Sequence, residues 1–259
     1  MPLPLEPTFR DVLASSGRPL AGMWVCSGSP LVAELCAGAG LDWLLVDAEH
    51  SPNGLESVLA QVQAIHGYPV STVVRPPVND TVLIKQYLDV GVQNLLIPMV
   101  HSAAEAEAAV AATRYPPEGV RGVGSALARA ARWNRVPDYL VTAADTISVT
   151  VQIESVAAVE AVSGILAVDG VDAIFIGPAD LSATMGLLGQ QEHEEVRAAV
   201  EYCLEAARRA GKPAGVNAFN PDTAQHYLDR GASFILVGAD VTLLARGSEA
   251  LAKRFVPGG

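Results

Sequence analysis

DWLLVDAEHSPNGLESVLAQVQAIHGYPVSTVVRP, residues 42–76, is the stretch on which the fold turns. It opens on one apolar run, DWLLVD (42–47), and closes on another, STVVRP (71–76). Neither alternates strictly between apolar and polar, as a strand with one wet face would. Near-continuous apolar runs suit strands covered on both faces of a parallel sheet. Between them, LESVLAQVQAI (55–65) sets Leu55, Val58, Leu59, Val62 and Ile65 on one helical stripe. Strand, helix and strand in that order make a βαβ unit.

The same alternation extends in both directions. Further apolar runs are AGMWVC (21–26), QNLLIPMV (93–100), SVTVQIE (148–154), DAIFIGP (172–178), AGVNA (214–218) and SFILVG (233–238). HEEVRAAVEYCLEAARRA (193–210) carries Val196, Val200, Cys203 and Leu204 on one stripe, with Glu early and Arg late as the helix dipole favours. Eight such strands alternating with helices in 259 residues predict a single (β/α)₈ TIM barrel over residues 1–259. A doubly wound sheet competes less well, because its GxGxxG fingerprint is missing after the first strand. One interval breaks the rhythm. RYPPEGVRGVGSALARAARWNRVPDYLVTAAD (114–145) sets Arg114, Arg121, Arg129, Arg132 and Arg135 against only Glu118, Asp138 and Asp145. Its position before a strand places it at the N-terminal face of the barrel, as a solvated or subunit-packing excursion.

Composition narrows the function. With 28 acidic and 17 basic side chains the net charge is −11, which argues against nucleic-acid and anionic-membrane partners. No apolar stretch approaches the ~20 residues of a membrane span. The start, MPLPLEPTFRDVL, lacks the pattern of a signal peptide, and Cys26, Cys36 and Cys203 form no disulfide framework or zinc knuckle. These features lead to the expectation of a cytoplasmic protein.

In a TIM barrel the chemistry sits at the C-terminal ends of the strands. Those ends carry Asp47-Ala48-Glu49-His50, Arg75, Gln152-Ile153-Glu154, Gly177-Pro178-Ala179-Asp180, Asn217 and Asp240. Taken singly, Glu154 reads as an ion-pair partner and Asp180 as a helix N-cap. Taken with Arg75 and His50, the two carboxylates favour a hard divalent cation, Mg²⁺ or Mn²⁺. His50 is placed to act as a general base near neutrality, and Arg75 to meet negative charge developing on an oxygen. His101 follows the fourth strand; His66, His193 and His226 fall at or within helices and read as structural. Asp89, in the helix QYLDVG (86–91), reads on its own as an exposed carboxylate. None of Lys85, Lys212 and Lys253 lies at a strand end, so a Schiff-base mechanism has no nucleophile. Metal-assisted chemistry on a small anionic substrate remains.

LDWLLVDAEHSPN, VVRPPVNDTVLIKQYLDVG, LLIPMV, RYPPEGVRGVGSALARAARWNR, VQIES, IFIGPADLSATMG and GADVTLLAR together resemble the metal-dependent pyruvate aldolases of the HpcH/HpaI family, from about residue 21 to residue 255. The resemblance implies reversible cleavage of a 4-hydroxy-2-oxoacid to pyruvate and an aldehyde through a metal-bound enolate. It implies Glu154 and Asp180 as ligands of Mg²⁺ or Mn²⁺, with Co²⁺ a further candidate. His50 becomes the base, Asp89 the carboxylate that raises its basicity, and Arg75 the enolate-stabilising cation. Gln152, Gly177, Pro178, Ala179 and Asp180 become substrate contacts, with Asp47 and Glu49 in support. It also implies a C-terminal helix exchanged between subunits of a homohexamer, a trimer of dimers. GVNAFNP (215–221) departs from the apolar segment the resemblance implies, and a polar Asn217 would suit a shorter or hydroxylated aldehyde, or a hydroxypyruvate-type donor. Oxaloacetate decarboxylation at the same site, a coenzyme A thioester lyase and a non-catalytic ketoacid-binding barrel are the alternatives.

Overall fold

Each of the eight apolar runs forms a strand in the computed structural model, which describes residues 1–256. The elements run α1 (Phe9–Ser15), β1 (Leu20–Val25), α2 (Pro30–Ala37), β2 (Trp43–Asp47), α3 (Leu55–Ile65), β3 (Ser71–Arg75), α4 (Thr81–Asp89), β4 (Asn94–Ile97) and α5 (Ala103–Thr113). After the arginine-rich interval they continue with α6 (Tyr139–Thr142), β5 (Ser148–Ile153), α7 (Val156–Ala167), β6 (Ala173–Ile176), α8 (Pro178–Thr184), α9 (Glu194–Ala210), β7 (Ala214–Asn217), α10 (Pro221–Asp229), β8 (Phe234–Ala239) and α11 (Asp240–Phe255). The strands close a parallel barrel in sequence order, β8 returning to β1. Parallel pairing puts every strand's C-terminal end on one rim. Asp47 lies in register with Arg75 across β2 and β3.

Strand ends match the apolar runs to within a few residues. The largest shortening is at β4, which stops at Ile97 although the apolar run continues to Val100. Pro98 has no N–H to give to a ladder, and Met99 turns to φ 57°. The apolar stripes of α3 and α9 face inward as expected, Val58 and Ile65 on one and Val196, Val200, Cys203 and Leu204 on the other being buried.

Two apolar layers result. The outer one joins the helices to the outward faces of the strands. The inner one plugs the lower half of the barrel: Phe9 from α1, Trp43, Phe175 and Phe234 meet with ring centroids 5.2–6.3 Å apart. Glycine makes room for this plug, since a Cβ on Gly22 would meet the Trp43 indole and one on Gly215 the Phe234 ring. A dry floor therefore lies beneath the polar rim.

α11 stands apart. Its only buried residue is Asp240, while Leu243, Leu244, Leu251 and Phe255 are exposed, as are Leu31 and Leu35 on α2. Among the described residues no helix is long and apolar enough to cross a membrane.

Candidate active site

Charge gathers where the strands end. Asp47, the last residue of β2, is buried, and its Oδ1 accepts from Arg75 Nε at 2.8 Å and from the Glu49 N–H at 3.0 Å. Its Oδ2 accepts from the His50 N–H at 3.3 Å. Asn53 Nδ2 and Ser51 Oγ donate to the Asp47 carbonyl, so the turn leaving β2 is tied down at its first residue. Asp47 thus fixes the loop that carries Glu49 and His50, and also aims the guanidinium of Arg75.

Arg75 closes β3 and is 4% exposed. Its Nη1 lies 2.8 Å from Glu49 Oε2 and 3.5 Å from Gln152 Oε1, and its Cζ lies 4.3 Å from the centroid of the Trp24 ring. A fork held by Asp47 and flattened against an indole is pre-organised to present its remaining N–H groups. The Glu49 contact lacks an aligned hydrogen, which leaves Glu49 Oε2 buried without a hydrogen-bond partner. Trp24 is held in turn from β7: its Nε1–H donates to Asn217 Oδ1 at 2.9 Å.

From β5, Gln152 Nε2 donates to Glu154 Oε2, and the Met99 N–H donates to Glu154 Oε1 at 2.7 Å. Glu154 is 3% exposed. Burial pushes its carboxyl above the ordinary range and the nearby Asp180 charge adds to this, opposed by the Met99 N–H, Arg75 and Gln152. Glu49 is raised too, by burial first, with Arg75 opposing and the Glu154 charge adding to the rise. Asp180 is exposed in the first turn of α8, whose N-cap is Gly177 with Pro178 behind it. The Ala179 and Asp180 N–H groups there have no acceptor within the helix.

The structure thus brings Asp47, Glu49, Arg75, Gln152, Gly177, Glu154 and Asp180 to one rim. His50 joins them at the mouth, its side chain 66% exposed and Nε2 3.9 Å from Glu49 Oε2. Asp89 does not join them within one chain. As the last residue of α4 it lies at the opposite end of the barrel, its Oδ1 2.9 Å from Nη2 of the fully buried Arg121. His101 is taken up by Ser155 Oγ at 2.8 Å, His226 by Glu201, and Asp240 by the Cys26 and Ser27 N–H groups. Sequence reading missed Trp24 and Met99. Trp24 carried a signal, as the large polar-tipped residue one place from the end of β1; Met99 acts through its backbone and carried none.

A divalent cation fits these residues. Asp47, Glu49, Glu154 and Asp180 stand on the rim with the Arg75 guanidinium, and Glu49 and Glu154, raised by burial and by neighbouring acids, would both be relieved by positive charge. Gly177 leaves the space beside Glu154 Oε2 open, where a Cβ would come within 3.4 Å. Glu154 and Asp180, whose charges act on each other, are oxygen donors that could hold such an ion. Among the described residues no group of three or more His, Cys, Asp or Glu side chains could hold a metal, so other ligands would come from water or substrate.

The molecule is a (β/α)₈-barrel protein with an acidic, arginine-bearing site at the C-terminal ends of its strands. The sequence pattern of the HpcH/HpaI aldolase/citrate lyase family matches residues 20–247, and the chain belongs to that family. It is 57% identical over 251 residues to the 4-hydroxy-2-oxo-heptane-1,7-dioate aldolase of Salmonella dublin, covering 97% of this chain and 95% of that protein. Among solved structures, an HpcH/HpaI aldolase/citrate lyase family protein from Burkholderia cenocepacia J2315 superimposes with a TM-score of 0.89 at 38% identity, over 95% of this chain and 97% of that one. The HpcH/HpaI aldolase from Desulfitobacterium hafniense DCB-2 does so with a TM-score of 0.85 at 32% identity, over 98% and 99%. Close relatives are thus named as aldolases, which are carbon–carbon lyases, and the family is generally dependent on a divalent metal.

Proposed function

We propose that the chain is a divalent-metal-dependent aldolase that reversibly cleaves a 4-hydroxy-2-oxoacid to pyruvate, or to a hydroxypyruvate-type product, and an aldehyde. The observation that carries this reading is the buried Arg75 fork, held by Asp47 and Trp24 and set beside Glu154. Glu154 and Asp180 would hold Mg²⁺, Mn²⁺ or Co²⁺, which when bound supplies Lewis acidity toward the oxoacid. The Ala179 and Asp180 N–H groups suit the substrate carboxylate, with Gln152, Gly177 and Pro178 forming the wall beside it.

In cleavage His50 takes the proton of the 4-hydroxyl, the C3–C4 bond breaks, and its electron pair becomes the C2–C3 double bond of an enolate. The charge shifts to the 2-oxygen, next to the N–H groups of Arg75. Protonation of C3 gives pyruvate; in the reverse direction His50 takes that proton back. His50 follows β2, whereas the residues that would hold the cation follow β5 and β6.

Assembly belongs to the same proposal. The uncovered apolar residues of α11 and α2 support exchange of α11 between subunits of a hexamer. Asp89 would then serve a histidine only from a neighbouring subunit, since its own His50 is at the far end. The test is a panel of 4-hydroxy-2-oxoacids assayed for pyruvate release with each of several divalent cations. Pyruvate from at least one substrate, only in the presence of a cation, is the expected result; none from any pairing rejects the reading.

A further inference from the structure

We infer that the chain carries a second ligand site, for a small organic anion, at the N-terminal end of the barrel, with Arg129 and Arg132 binding the anionic head. A cavity of about 540 Å³ opens there among the first residues of β1, β3 and β4 and the end of α3. That size falls within the range of small-molecule pockets and exceeds what an inorganic ion fills. Val12, Val62, Ile65 and Val74 form an apolar side, and Arg129 and Arg132 a cationic one.

The two arginines are built into place. Arg129 Nη1 donates to the Val90 carbonyl at 3.1 Å, and Arg132 Nη1 to the Arg129 carbonyl at 3.1 Å. Both Nη1 atoms converge over Gly91, where a Cβ would collide with them and where φ is +95°. Among the described residues their other N–H groups make no hydrogen bond, and no carboxylate oxygen lies within 4.0 Å of either guanidinium. Of the acids bordering the cavity, Asp42 is engaged by both Nη atoms of Arg18, and Glu6 acts on Arg132 only from beyond ion-pair distance. Burial and the Arg132 charge push Arg129 down to about 10, which still leaves it cationic at neutral pH.

Two partly buried cations side by side repel each other, and in a chain of net charge −11 acids to pair them are plentiful. Here they face a cavity instead. Ser71 and Thr72 also line it, and their hydroxyls make no hydrogen bond among the described residues. A carboxylate or phosphate head would complete the guanidinium forks and these hydroxyls together, while an apolar body would cover the valines and Ile65. Within one chain the candidate active site lies at the other end of the barrel, beyond the aromatic plug, and shares no lining residue with this cavity.

The experiment is calorimetric titration of the full chain in EDTA with inorganic phosphate, phenylphosphate and phenylacetate. Chelation keeps the acidic rim without its cation and so unattractive to anions. Saturable binding of phenylphosphate or phenylacetate is expected, tighter than phosphate alone, with Kd at or below about 1 mM; which of the two binds better separates a phosphate from a carboxylate ligand. Arg132→Gln should weaken it at least about tenfold, and Arg246→Gln on the exposed face of α11 should not. Because Arg132 also braces the backbone, hydrogen exchange on the wild-type chain gives a second reading: ligand should slow exchange over residues 90–94 and 129–132. Absence of saturable binding by all three probes, equal binding by Arg132→Gln in its folded form, or protection confined to the Glu154 end would each overturn the site.

Discussion

Replacing Arg75 separates two roles that its burial combines. Arg75→Ala removes the guanidinium paired with both Asp47 and Glu49, which are 1% exposed overall and 12% exposed at the side chain, respectively. Asp47 keeps two backbone N–H donors, but Glu49 loses its ion pair. Breaking a buried pair from one side costs about 3–5 kcal/mol. For a chain of this size that lowers the Tm by roughly 6–20 °C. The alanine variant therefore loses stability as well as turnover, and its low activity proves little. Arg75→Lys is the sharper probe. It retains the charge, but an ammonium cannot reach Asp47 through one nitrogen and Glu49 through another while lying flat on Trp24. Losing one pre-organised donor to a developing oxyanion costs on the order of 10²–10³ in kcat. If that donor acts mainly in the transition state, kcat falls and KM moves little. Pyruvate release coupled to NADH oxidation gives both constants, and urea melts give stability. Turnover within about threefold of wild type in the folded lysine variant would refute the role of the guanidinium.

Four further outcomes are expected. His50→Ala should suppress aldol cleavage about 10²–10⁴-fold, yet spare decarboxylation of oxaloacetate, which has no 4-hydroxyl proton to remove; equal loss of both activities would contradict the assignment. EDTA should abolish cleavage and Mn²⁺ or Mg²⁺ restore it, whereas full activity in chelator would exclude the ion's part. Glu154 and Glu49 have folded-state values above 4.5, so the folded chain binds protons more tightly than the unfolded one. Metal-free stability should therefore fall as pH rises through the window above 4.5, and Glu154→Gln should flatten that fall in urea melts, an unchanged slope being the adverse result. Finally, Leu244→Glu with Leu251→Glu should lower the assembly mass in light scattering, because charge would replace the apolar face proposed to dock on a neighbour; an unaltered mass would count against helix exchange.

The barrel was legible because its strands are buried on both sides. A strand covered by helices outside and aromatic rings inside is largely apolar, as WLLV (43–46) and AIFI (173–176) are, while β5 alternates Val149, Val151 and Ile153 in the outer layer with the buried polar Ser148, Thr150 and Gln152. Deviations arose where backbone chemistry overrode the apolar pattern, as at Pro98-Met99, where a missing N–H and a positive φ end β4 early. The site was legible for the same reason reversed. In a chain 17% charged, a charged residue next to an apolar run is conspicuous, so Asp47, Arg75, Glu154 and Asp180 could be read from the ends of their strands.

What the sequence hides is who bonds to whom across strands. Asp89 shows the limit: helix α4 runs back down the barrel, so a carboxylate fourteen places after Arg75 sits at the far face, paired with Arg121 from the arginine-rich interval. Asn217 shows it more finely. Read alone, a polar residue at the end of β7 suggests a polar aldehyde. In the fold its Oδ1 is taken by the Trp24 indole, which in turn lies against Arg75. Part of the asparagine's polarity is therefore answered by the wall itself and says nothing of substrate. What it retains is an amide NH₂, a donor only, able to meet a carbonyl or hydroxyl oxygen but not a hydroxyl proton. Any choice of aldehyde at this position must come from that donor and from the exposed ring of Phe219 nearby in sequence, and an Asn217→Leu variant would change both the wall and the donor at once.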